Sequence, residues 1–280
     1  MSKKLVVVCG ATGQQGGSVV RALLDHGGYA VRALTRDPAS PSSRALAALG
    51  VEVVEAYPND KGSLIRAFQG AYAVFGLTIS HTADSETDMG RNMVDACKAN
   101  NVSLFIWSSL PSARETSKGK HTEVRAFDEK AEVDKYIATS GQPSVIFSTG
   151  GFAENLPHQL KQDKSDPSKW HVLYPFAAPD VVLTCTITGK EMAETIQRGM
   201  KCGYDCVWSL TERTVTGKQT DYVATDTAFP PTIPLYKWQA DGYYTYPGSI
   251  PPDILVKAGV QFHTFEDYVK DHVVALMNTA

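Results

Sequence analysis

Three glycines at a fixed spacing, Gly10, Gly13 and Gly16, follow an apolar run near the start of the chain. The run at residues 5–8 is typical of a buried strand, and a helical pattern begins directly after the glycines. Glycine is needed where a backbone turns sharply, approaches a pyrophosphate closely or lets a helix pack against its strand. This strand–turn–helix context predicts a dinucleotide-binding turn in which the N–H groups at the helix start face a phosphate.

The end of the next predicted strand, residues 29–35, bears on the choice of dinucleotide. An acidic residue about 20 positions beyond the glycines binds the ribose hydroxyls of NAD, whereas an arginine accommodates the 2′-phosphate of NADP. Arg36 follows the strand directly, while Arg32 lies inside it. The sequence therefore favours NADP(H) over NAD(H). The alternative, that Arg36 is simply a solvated residue at a strand end, stays open.

Composition and charge exclude several classes of protein. The 280 residues carry a net charge of −3 without a basic block, so we expect no direct binding of nucleic acid and no attraction to an anionic membrane. The five cysteines are scattered, and Cys202 and Cys206 lack a second pair at zinc-site spacing, so we expect no metal site. No segment has the pattern of a signal peptide or of a membrane span. These features predict a cytoplasmic protein, or a nuclear one if it is a regulator.

Strand and helix patterns alternate through the first half of the chain. This alternation predicts an α/β fold, a Rossmann-type doubly wound parallel sheet. The predicted strands are residues 5–8, 29–35, 51–56, 71–78, 102–109 and 144–148. The first predicted helix follows the glycine turn directly, and the others cover residues 43–49, 61–69, 84–100 and 124–140. Ligands of such a sheet lie beyond the carboxyl ends of its strands. We therefore expect the site near residues 10–15, 36, 78–80 and 108–110.

The second half of the chain is less regular. We expect a dinucleotide-binding domain at residues 1–156 and a small mixed α/β cap at 157–280, with some segments returning to the sheet. Residues 161–170 read as a loop, a capping box at 188–191 predicts a helix to about residue 200, and 211–252 predict short strands, turns and loops. A final helix is predicted from Thr264 to about Met277. Aromatic residues in this half indicate either core and interface burial or a pocket for a flat organic substrate; they are Trp170, Tyr174, Phe176, Trp238, Tyr243, Tyr244 and Tyr246.

Four segments in order, residues 10–19, 35–38, 127–133 and 150–156, resemble the NmrA-like family of atypical short-chain dehydrogenase/reductases. The resemblance implies that the glycine turn cradles the pyrophosphate and that Arg36 takes the 2′-phosphate. It also implies that Thr78 and Ser80 line the route to the nicotinamide, that Lys130 reaches the nicotinamide ribose, and that Gly151, Phe152 and Ala153 flank the nicotinamide. The turn residues concerned are Gly10, Thr12, Gly13, Gln14, Gln15 and Gly16. Tyr57 departs from the family pattern and is expected to stack on the adenine.

A second departure concerns catalysis. Ordinary short-chain dehydrogenases carry Tyr-x-x-x-Lys, but Ala126 stands four residues before Lys130, so the usual acid is missing. Lys130 is the candidate proton donor, provided that burial disfavours its charged form enough for it to release the proton near neutral pH. Ser108 and Ser109 are candidates to polarise a carbonyl, and His121 lies in a polar loop that could offer an imidazole. Each of these residues also has an interpretation without a catalytic role: Lys130 as a surface lysine, the two serines as caps of a turn, and His121 as a solvated loop residue.

Three functions fit these residues. The first is an NADPH-dependent oxidoreductase acting on a small organic carbonyl, imine or alkene, with Lys130 assisting. The second is a non-catalytic NADP(H) redox sensor or transcriptional co-regulator that acts by binding a protein. The third is a non-redox cyclase or isomerase that retains the cofactor. The expected partner is accordingly a small-molecule substrate or a protein, and a homodimer stays open.

Overall fold

A computed structural model describes residues 2–80, 82–155, 157, 160–162, 164–166, 169–173, 205–209, 233–241, 243, 253–261 and 264–273. The chain divides into two compact units. The first comprises Met1–Ser112 and Arg125–Thr149, and the second comprises Ala113–Val124 and Gly150–Ala280. The expected domain boundary at residue 156 stays a prediction.

A parallel sheet of six strands forms the centre of the first unit. Its strand order is β3-β2-β1-β4-β5-β6, and every neighbouring pair runs parallel. This confirms the predicted Rossmann-type sheet. The strands are β1 (Lys4–Val8), β2 (Tyr29–Thr35), β3 (Glu52–Glu55), β4 (Ala73–Gly76), β5 (Leu104–Ser109) and β6 (Ser144–Ser148). The order reverses between β1 and β4, and such a switch point is where open α/β sheets bind ligands.

Helices follow the strands of this sheet in sequence. They are α1 (Gln14–His26), α2 (Pro41–Ala48), α3 (Lys61–Ala67), α4 (Glu86–Ala99) and, after a short α5 (Ala113–Thr116) in the second unit, α6 (Arg125–Ser140). The predicted helix at 43–49 begins earlier, because Ser40 accepts a hydrogen bond from the Ser43 N–H and Pro41 suits the first helical turn. The predicted strands at 51–56, 71–78 and 102–109 are shorter, because backbone pairing stops before their apolar patterns do.

Apolar side chains cover both faces of the sheet. One cluster contains Val7, Phe68, Met93, Phe105 and Trp107, and the other is built from residues of β1, β2 and β4 together with Val20 of α1. Burial on both faces explains why the central strands read as continuous apolar runs rather than as alternating patterns.

Two cysteine thiols lie in the first of these clusters. Burial raises the pKa of Cys9 to about 12, and it raises the pKa of Cys97 as well. Both thiols are free and buried. At neutral pH they are therefore protonated, and they behave as small apolar side chains.

The second unit contains a sheet of three described strands, β7 (Leu160–Gln162), β8 (Lys169–Leu173) and β9 (Asp205–Ser209). Strand β8 pairs antiparallel with β7 and parallel with β9. The loop predicted at 161–170 is therefore wrong at both of its ends, where backbone pairing forms strands from polar residues. The prediction without helices for 211–252 is also wrong in part, because α7 spans Ile233–Ala240.

Two further helices follow, α8 (Asp253–Lys257) and α9 (Phe265–Tyr268), and α9 continues as a π-turn at Val269–Val273. Thr264 begins α9 with a capping box in which its side chain and that of Asp267 each accept a hydrogen bond from the other's backbone N–H. The predicted start of this helix is confirmed. Some of the predictions concern positions outside the described residues. They are the end of this helix near Met277, the helix up to residue 200, and the residues Cys185, Cys202, Tyr174, Phe176, Tyr244 and Tyr246.

Asp241, at the end of α7, contacts the segment 113–124 within the second unit. Its Oδ2 atom lies 2.7 Å from Lys120 Nζ and 2.6 Å from His121 Nε2. Nearby, Trp238 is fully buried, and its indole N–H donates to Thr116 Oγ1 at 3.2 Å. Segment 113–124 thus contacts α7 through Thr116 and the residue that follows α7 through Lys120 and His121.

The described residues contain neither a membrane-spanning helix nor a cluster of metal-binding side chains. No helix among them is both long and apolar enough to cross a membrane. No group of three or more His, Cys, Asp or Glu side chains in this part of the chain is arranged to hold a metal ion.

Candidate dinucleotide site

The glycine turn leaves no room for side chains at two of its three glycines. Gly10 has a φ of +62°, in the left-handed region that glycine tolerates best. A Cβ atom on Gly16 would lie 2.3 Å from the Gly10 carbonyl oxygen, so α1 packs directly on the end of β1. The Gly13 N–H donates to that same oxygen at 2.9 Å and closes the turn. This geometry explains the spacing that the sequence displays.

The start of α1 is open to a ligand. Thr12, Gly13 and Gln14 are exposed, and the first turn of the helix contains no acidic residue. The first N–H groups of a helix lack partners within the helix and carry the positive end of its dipole. The turn therefore offers a phosphate both donors and a favourable field, at the switch point of the sheet.

Gln15 and Ser108 join this turn to the end of β5. The Gln15 Nε2 atom donates to Ser108 Oγ at 2.9 Å, and Ser108 Oγ donates to Gln15 Oε1 at 3.0 Å. Ser108 is buried, so its hydroxyl is held by the amide. The structure thus brings together two predicted site residues that are 93 positions apart in the chain.

Arg36 and Tyr57 also lie together, beyond the ends of β2 and β3. The Tyr57 hydroxyl is 3.3 Å from the Arg36 carbonyl oxygen and donates to Glu55 Oε1 at 2.7 Å. This hydrogen bond, and then the charge of Glu55, raise the pKa of Tyr57, while the charge of Arg36 opposes the rise. The Arg36 side chain is exposed. A carboxylate that the sequence analysis did not consider therefore belongs to the expected 2′-phosphate region.

Lys130, the predicted proton donor, is buried in a polar cluster with Thr78 and Glu86. Its Nζ atom lies 2.6 Å from Glu86 Oε2, 2.6 Å from Thr78 Oγ1 and 3.1 Å from the Thr78 carbonyl oxygen. The Thr78 hydroxyl in turn donates to Glu86 Oε2 at 2.6 Å. An ammonium group has three donors, and these three acceptors match that number.

Ser109 has a different partner from its neighbour Ser108. Its hydroxyl donates to Asp134 Oδ2 at 2.8 Å, and Ser109 is almost completely buried. Burial raises the pKa of Asp134 to about 6, although the hydrogen bond from Ser109, the nearby indole of Trp107 and the charge of Lys130 oppose the rise. The two predicted serines are therefore each held within the first unit by a polar side chain.

Comparison with known proteins identifies the family. The profile of the NmrA-like family matches residues 2–219. The chain belongs to the NmrA-like family. This confirms the resemblance drawn from the four sequence segments.

An NmrA-like relative, the NmrA-like family domain-containing oxidoreductase hkm9 of Aspergillus hancockii, is 37% identical over 149 residues. The matched segment is 51% of this chain and 44% of that relative, so less than half of the relative's length is spanned.

The fold agrees with solved NmrA structures. NmrA, described as a negative transcriptional regulator, has been solved in complex with NAD and with NADP. Those structures are 18% identical to this chain, with TM-scores of 0.80 and 0.78, and each comparison covers 100% of this chain and 98% of the other. At this identity the likeness shows the fold.

The NmrA-like segment at residues 127–133 lies in α6 and forms hydrogen bonds with two loops of the parallel sheet. Consecutive side chains in the first turns of α6 hold the loops that follow β4 and β5. Asp128 accepts from Ser112, Glu129 accepts from the Glu86 N–H at 2.7 Å, and Lys130 contacts Thr78. Arg125 donates to the carbonyl oxygens of Thr82 and Asp84 and forms an ion pair with Glu129. The motif thus sets the shape of two loops at the ligand edge of the sheet.

Other predicted site residues lie elsewhere. Ser80 follows β4 and is half-buried. Gly151, Phe152, Ala153 and His121 belong to the second unit, where Phe152 is exposed and Ala153 begins a short 3₁₀ turn. Four acidic residues that contact the predicted site residues or one another were not predicted from sequence: Glu55, Glu86, Glu129 and Asp134. Glu86, Glu129 and Asp134 have partners that are distant in the chain, so no local signal distinguishes them from their solvated neighbours. Glu55 pairs with Tyr57, only two positions away.

Proposed function

We propose that this chain is an NADP(H)-binding oxidoreductase that acts on a small organic carbonyl, imine or alkene. The observation that carries the proposal is the glycine turn, in which the Gly16 backbone packs against the Gly10 carbonyl oxygen and leaves the start of α1 exposed at the switch point. A backbone cradle of this kind fits a pyrophosphate, because a side chain would fill the space. The family's curated relative, named as an oxidoreductase, supports the class of reaction.

The residues proposed to hold the cofactor divide by the part that they contact. Gly10, Thr12, Gly13, Gln14, Gln15 and Gly16 bind the pyrophosphate, and Thr78, Ser80 and Lys130 line the way to the nicotinamide. Arg36 binds the 2′-phosphate and Tyr57 covers the adenine. For Gly151, Phe152 and Ala153, which belong to the second unit, a role next to the nicotinamide rests on the family resemblance alone. The cofactor, when bound, supplies the hydride, while the protein positions it and stabilises charge.

The cofactor preference rests on Arg36. Its exposed guanidinium follows β2, where an arginine pairs with a 2′-phosphate and favours NADPH over NADH. Calorimetric titration with NADPH and NADH tests this. We expect Arg36→Ala to weaken NADPH binding by about 10-fold to 100-fold with little effect on NADH. Arg21→Ala, which removes an exposed arginine of α1, is the matched control. Equal affinity of the wild type for both cofactors would contradict the assignment.

A second candidate function is a non-catalytic redox sensor that binds another protein. The observation that favours it is the engagement of Lys130, whose three donors are directed at Thr78 and Glu86, together with Ala126 in place of the usual tyrosine. Linkage requires that a partner and NADP(H) change each other's affinity. Oxidation of NADPH with carbonyl, imine and alkene substrates separates the two functions. Turnover supports the enzyme, whereas tight NADPH binding without turnover supports the sensor.

A further inference from the structure

The environment of Lys130 is unusual because two opposite charges are buried side by side. The side chains of Lys130 and Glu86 are 8% and 4% exposed. A charged group taken out of water is costly unless it is paired and hydrogen-bonded. Glu86 Oε2 meets this requirement, since it accepts from both Lys130 Nζ and the Thr78 hydroxyl at 2.6 Å.

Other groups around the ammonium group contribute less directly. The Lys130 Nζ atom lies 5.6 Å from the centre of the Trp107 ring in β5, within the range of a cation–π contact. Asp134, one turn further along α6, interacts with Lys130 through its charge. Glu129 contacts the backbone N–H of Glu86 and is itself paired with Arg125. Among these carboxylates of the described residues, only that of Glu86 accepts a hydrogen bond from Lys130 Nζ.

Thr78 links the buried pair of Lys130 and Glu86 to the candidate dinucleotide site. Thr78 lies two residues beyond β4, whose carboxyl end borders the switch point. The Lys130 ammonium group donates to both the carbonyl oxygen and the hydroxyl of Thr78, and it therefore fixes the backbone of this loop. A neutral amine would hold the same oxygens more weakly, because hydrogen bonds from charged donors are about twice as strong.

We propose that Glu86 is a positioning residue: its carboxylate keeps Lys130 charged inside the first unit, so that the ammonium group fixes the Thr78 loop against the bound dinucleotide. Glu86 does not itself touch the cofactor. This inference rests on the proposed NADP(H) binding, but the buried pair can be tested without a cofactor.

The test uses three variants of the full chain: Glu86→Gln, which keeps the shape but removes the charge, Lys130→Met, and the double variant with both changes. Without the carboxylate, a buried ammonium group has no charged partner, which is costly, and the neutral amine avoids this cost. The stability of Glu86→Gln measured by urea unfolding should therefore rise from pH 7 towards pH 10 relative to the wild type. The double variant, which lacks the amine, should not show this rise.

NADPH affinity, measured by calorimetry and expressed relative to the wild type at the same pH, provides the second measurement. We expect Glu86→Gln to bind about 10-fold more weakly at pH 8.5 and to return to within about twofold at pH 6, where the amine is charged again. Lys130→Met and the double variant should bind weakly at both pH values. A purely structural role of Glu86 predicts a loss that does not depend on pH.

The possible failures are distinguishable. Lack of NADPH binding by the wild type would overturn the proposed function and, with it, the positioning role, while the unfolding series would still report on the pair. An affinity ratio for Glu86→Gln that is flat with pH, or a double variant that binds NADPH as the wild type does, would overturn the role of Glu86. If Glu86→Gln does not fold at any pH, the affinity of the double variant decides.

Discussion

The side-chain amide of Gln15 makes two hydrogen bonds with the hydroxyl group of Ser108, which links the glycine turn after β1 to the end of β5. Both groups belong to the candidate site, but in this structure each is hydrogen-bonded to the other. Ser108 therefore supports the turn in this structure, and a direct contact of its hydroxyl with a carbonyl substrate requires Gln15 to move.

Removal of the Gln15 amide should destabilise the first unit. Gln15→Ala leaves the buried Ser108 hydroxyl without this partner, which costs about 1–3 kcal/mol. We expect that loss in the free energy of unfolding measured with urea, and a coupling of about 1 kcal/mol in a double-mutant cycle with Ser108→Ala. Gln14→Ala, at the exposed neighbouring position, is the control and should change stability by less than about 0.5 kcal/mol. Additive effects of the two substitutions would contradict the contact.

The two adjacent glycines at the start of α1 should respond oppositely to alanine. The Cβ atom of Gly16→Ala would meet backbone atoms of Gly10 at 2.3 Å and 2.6 Å, so α1 has to move away and stability falls by about 2 kcal/mol or more. The nearest contact in Gly17→Ala would be 3.4 Å, from the Ala11 carbonyl oxygen. There, the better helix propensity should leave stability unchanged or raise it by up to about 1 kcal/mol. Thermal unfolding of both variants is the measurement, and equal losses would argue against the close approach.

The carboxyl group of Asp134 should make stability depend on pH. Its pKa is raised from 3.8 to about 6 by burial, so the folded state binds this proton more tightly than the unfolded state does. Its contribution is therefore most favourable at acid pH and is lost as the pH rises from about 4 to 6. Asp134→Asn should gain about 1–2 kcal/mol at pH 7.5, after a reduction for partial exposure, and much less at pH 4.5.

Asp95 provides a contrast of opposite sign. Burial raises its pKa, but the hydrogen bonds from Lys61 and Tyr136 outweigh that effect, and the net pKa is lowered. Asp95→Asn should therefore cost up to about 1 kcal/mol at neutral pH, and the cost should fade as the pH drops below 4. Urea unfolding of both variants across this pH range gives the comparison. Parallel pH profiles for the two asparagine variants would refute the assignment.

In the second unit, Asp241 should control how firmly segment 113–124 is held. Asp241→Asn weakens the contacts with both Lys120 and His121. Because these groups are partly exposed, we expect a modest loss of about 1 kcal/mol. Hydrogen exchange should become faster in residues 117–122 and stay unchanged in β1 and β4. Lys270→Ala, which removes a different surface ion pair of the same unit, is the control. Unchanged exchange in Asp241→Asn would show that other contacts hold the segment.

The first unit could be predicted from sequence because its signals are local. Apolar runs and glycines lie next to the elements that they define. The caps Ser40 and Ser85, which set the observed starts of α2 and α4, were not part of the prediction. The second unit gave weaker signals. Helix α7 is short, its apolar and polar residues do not separate onto two faces, and Pro234 lies in its first turn. Strand β7 contains Lys161 and Gln162, which pattern rules assign to loops.

The candidate site divides in the same way. The geometry of the glycine turn could be predicted, because backbone geometry at a strand end depends on adjacent residues, whereas the role of Arg36 stays a prediction. The partners of the polar residues could not: Glu86 is 44 positions from Lys130, and Asp134 is 25 positions from Ser109. Only the register of the parallel strands and the packing of α4 and α6 bring these side chains together. For this reason, the sequence suggested that Lys130 is either a proton donor or a surface lysine, whereas in the fold it is buried and paired with Glu86.

The two buried thiols offer a practical probe of motion in the first unit. Because the pKa of Cys9 is about 12 and that of Cys97 is raised too, an alkylating reagent meets almost no reactive thiolate while the sheet is closed. Alkylation of these two cysteines, located by peptide mass spectrometry, would therefore count the occasions on which the sheet opens. Its rate, with and without an added dinucleotide, would report how strongly a ligand restrains that opening.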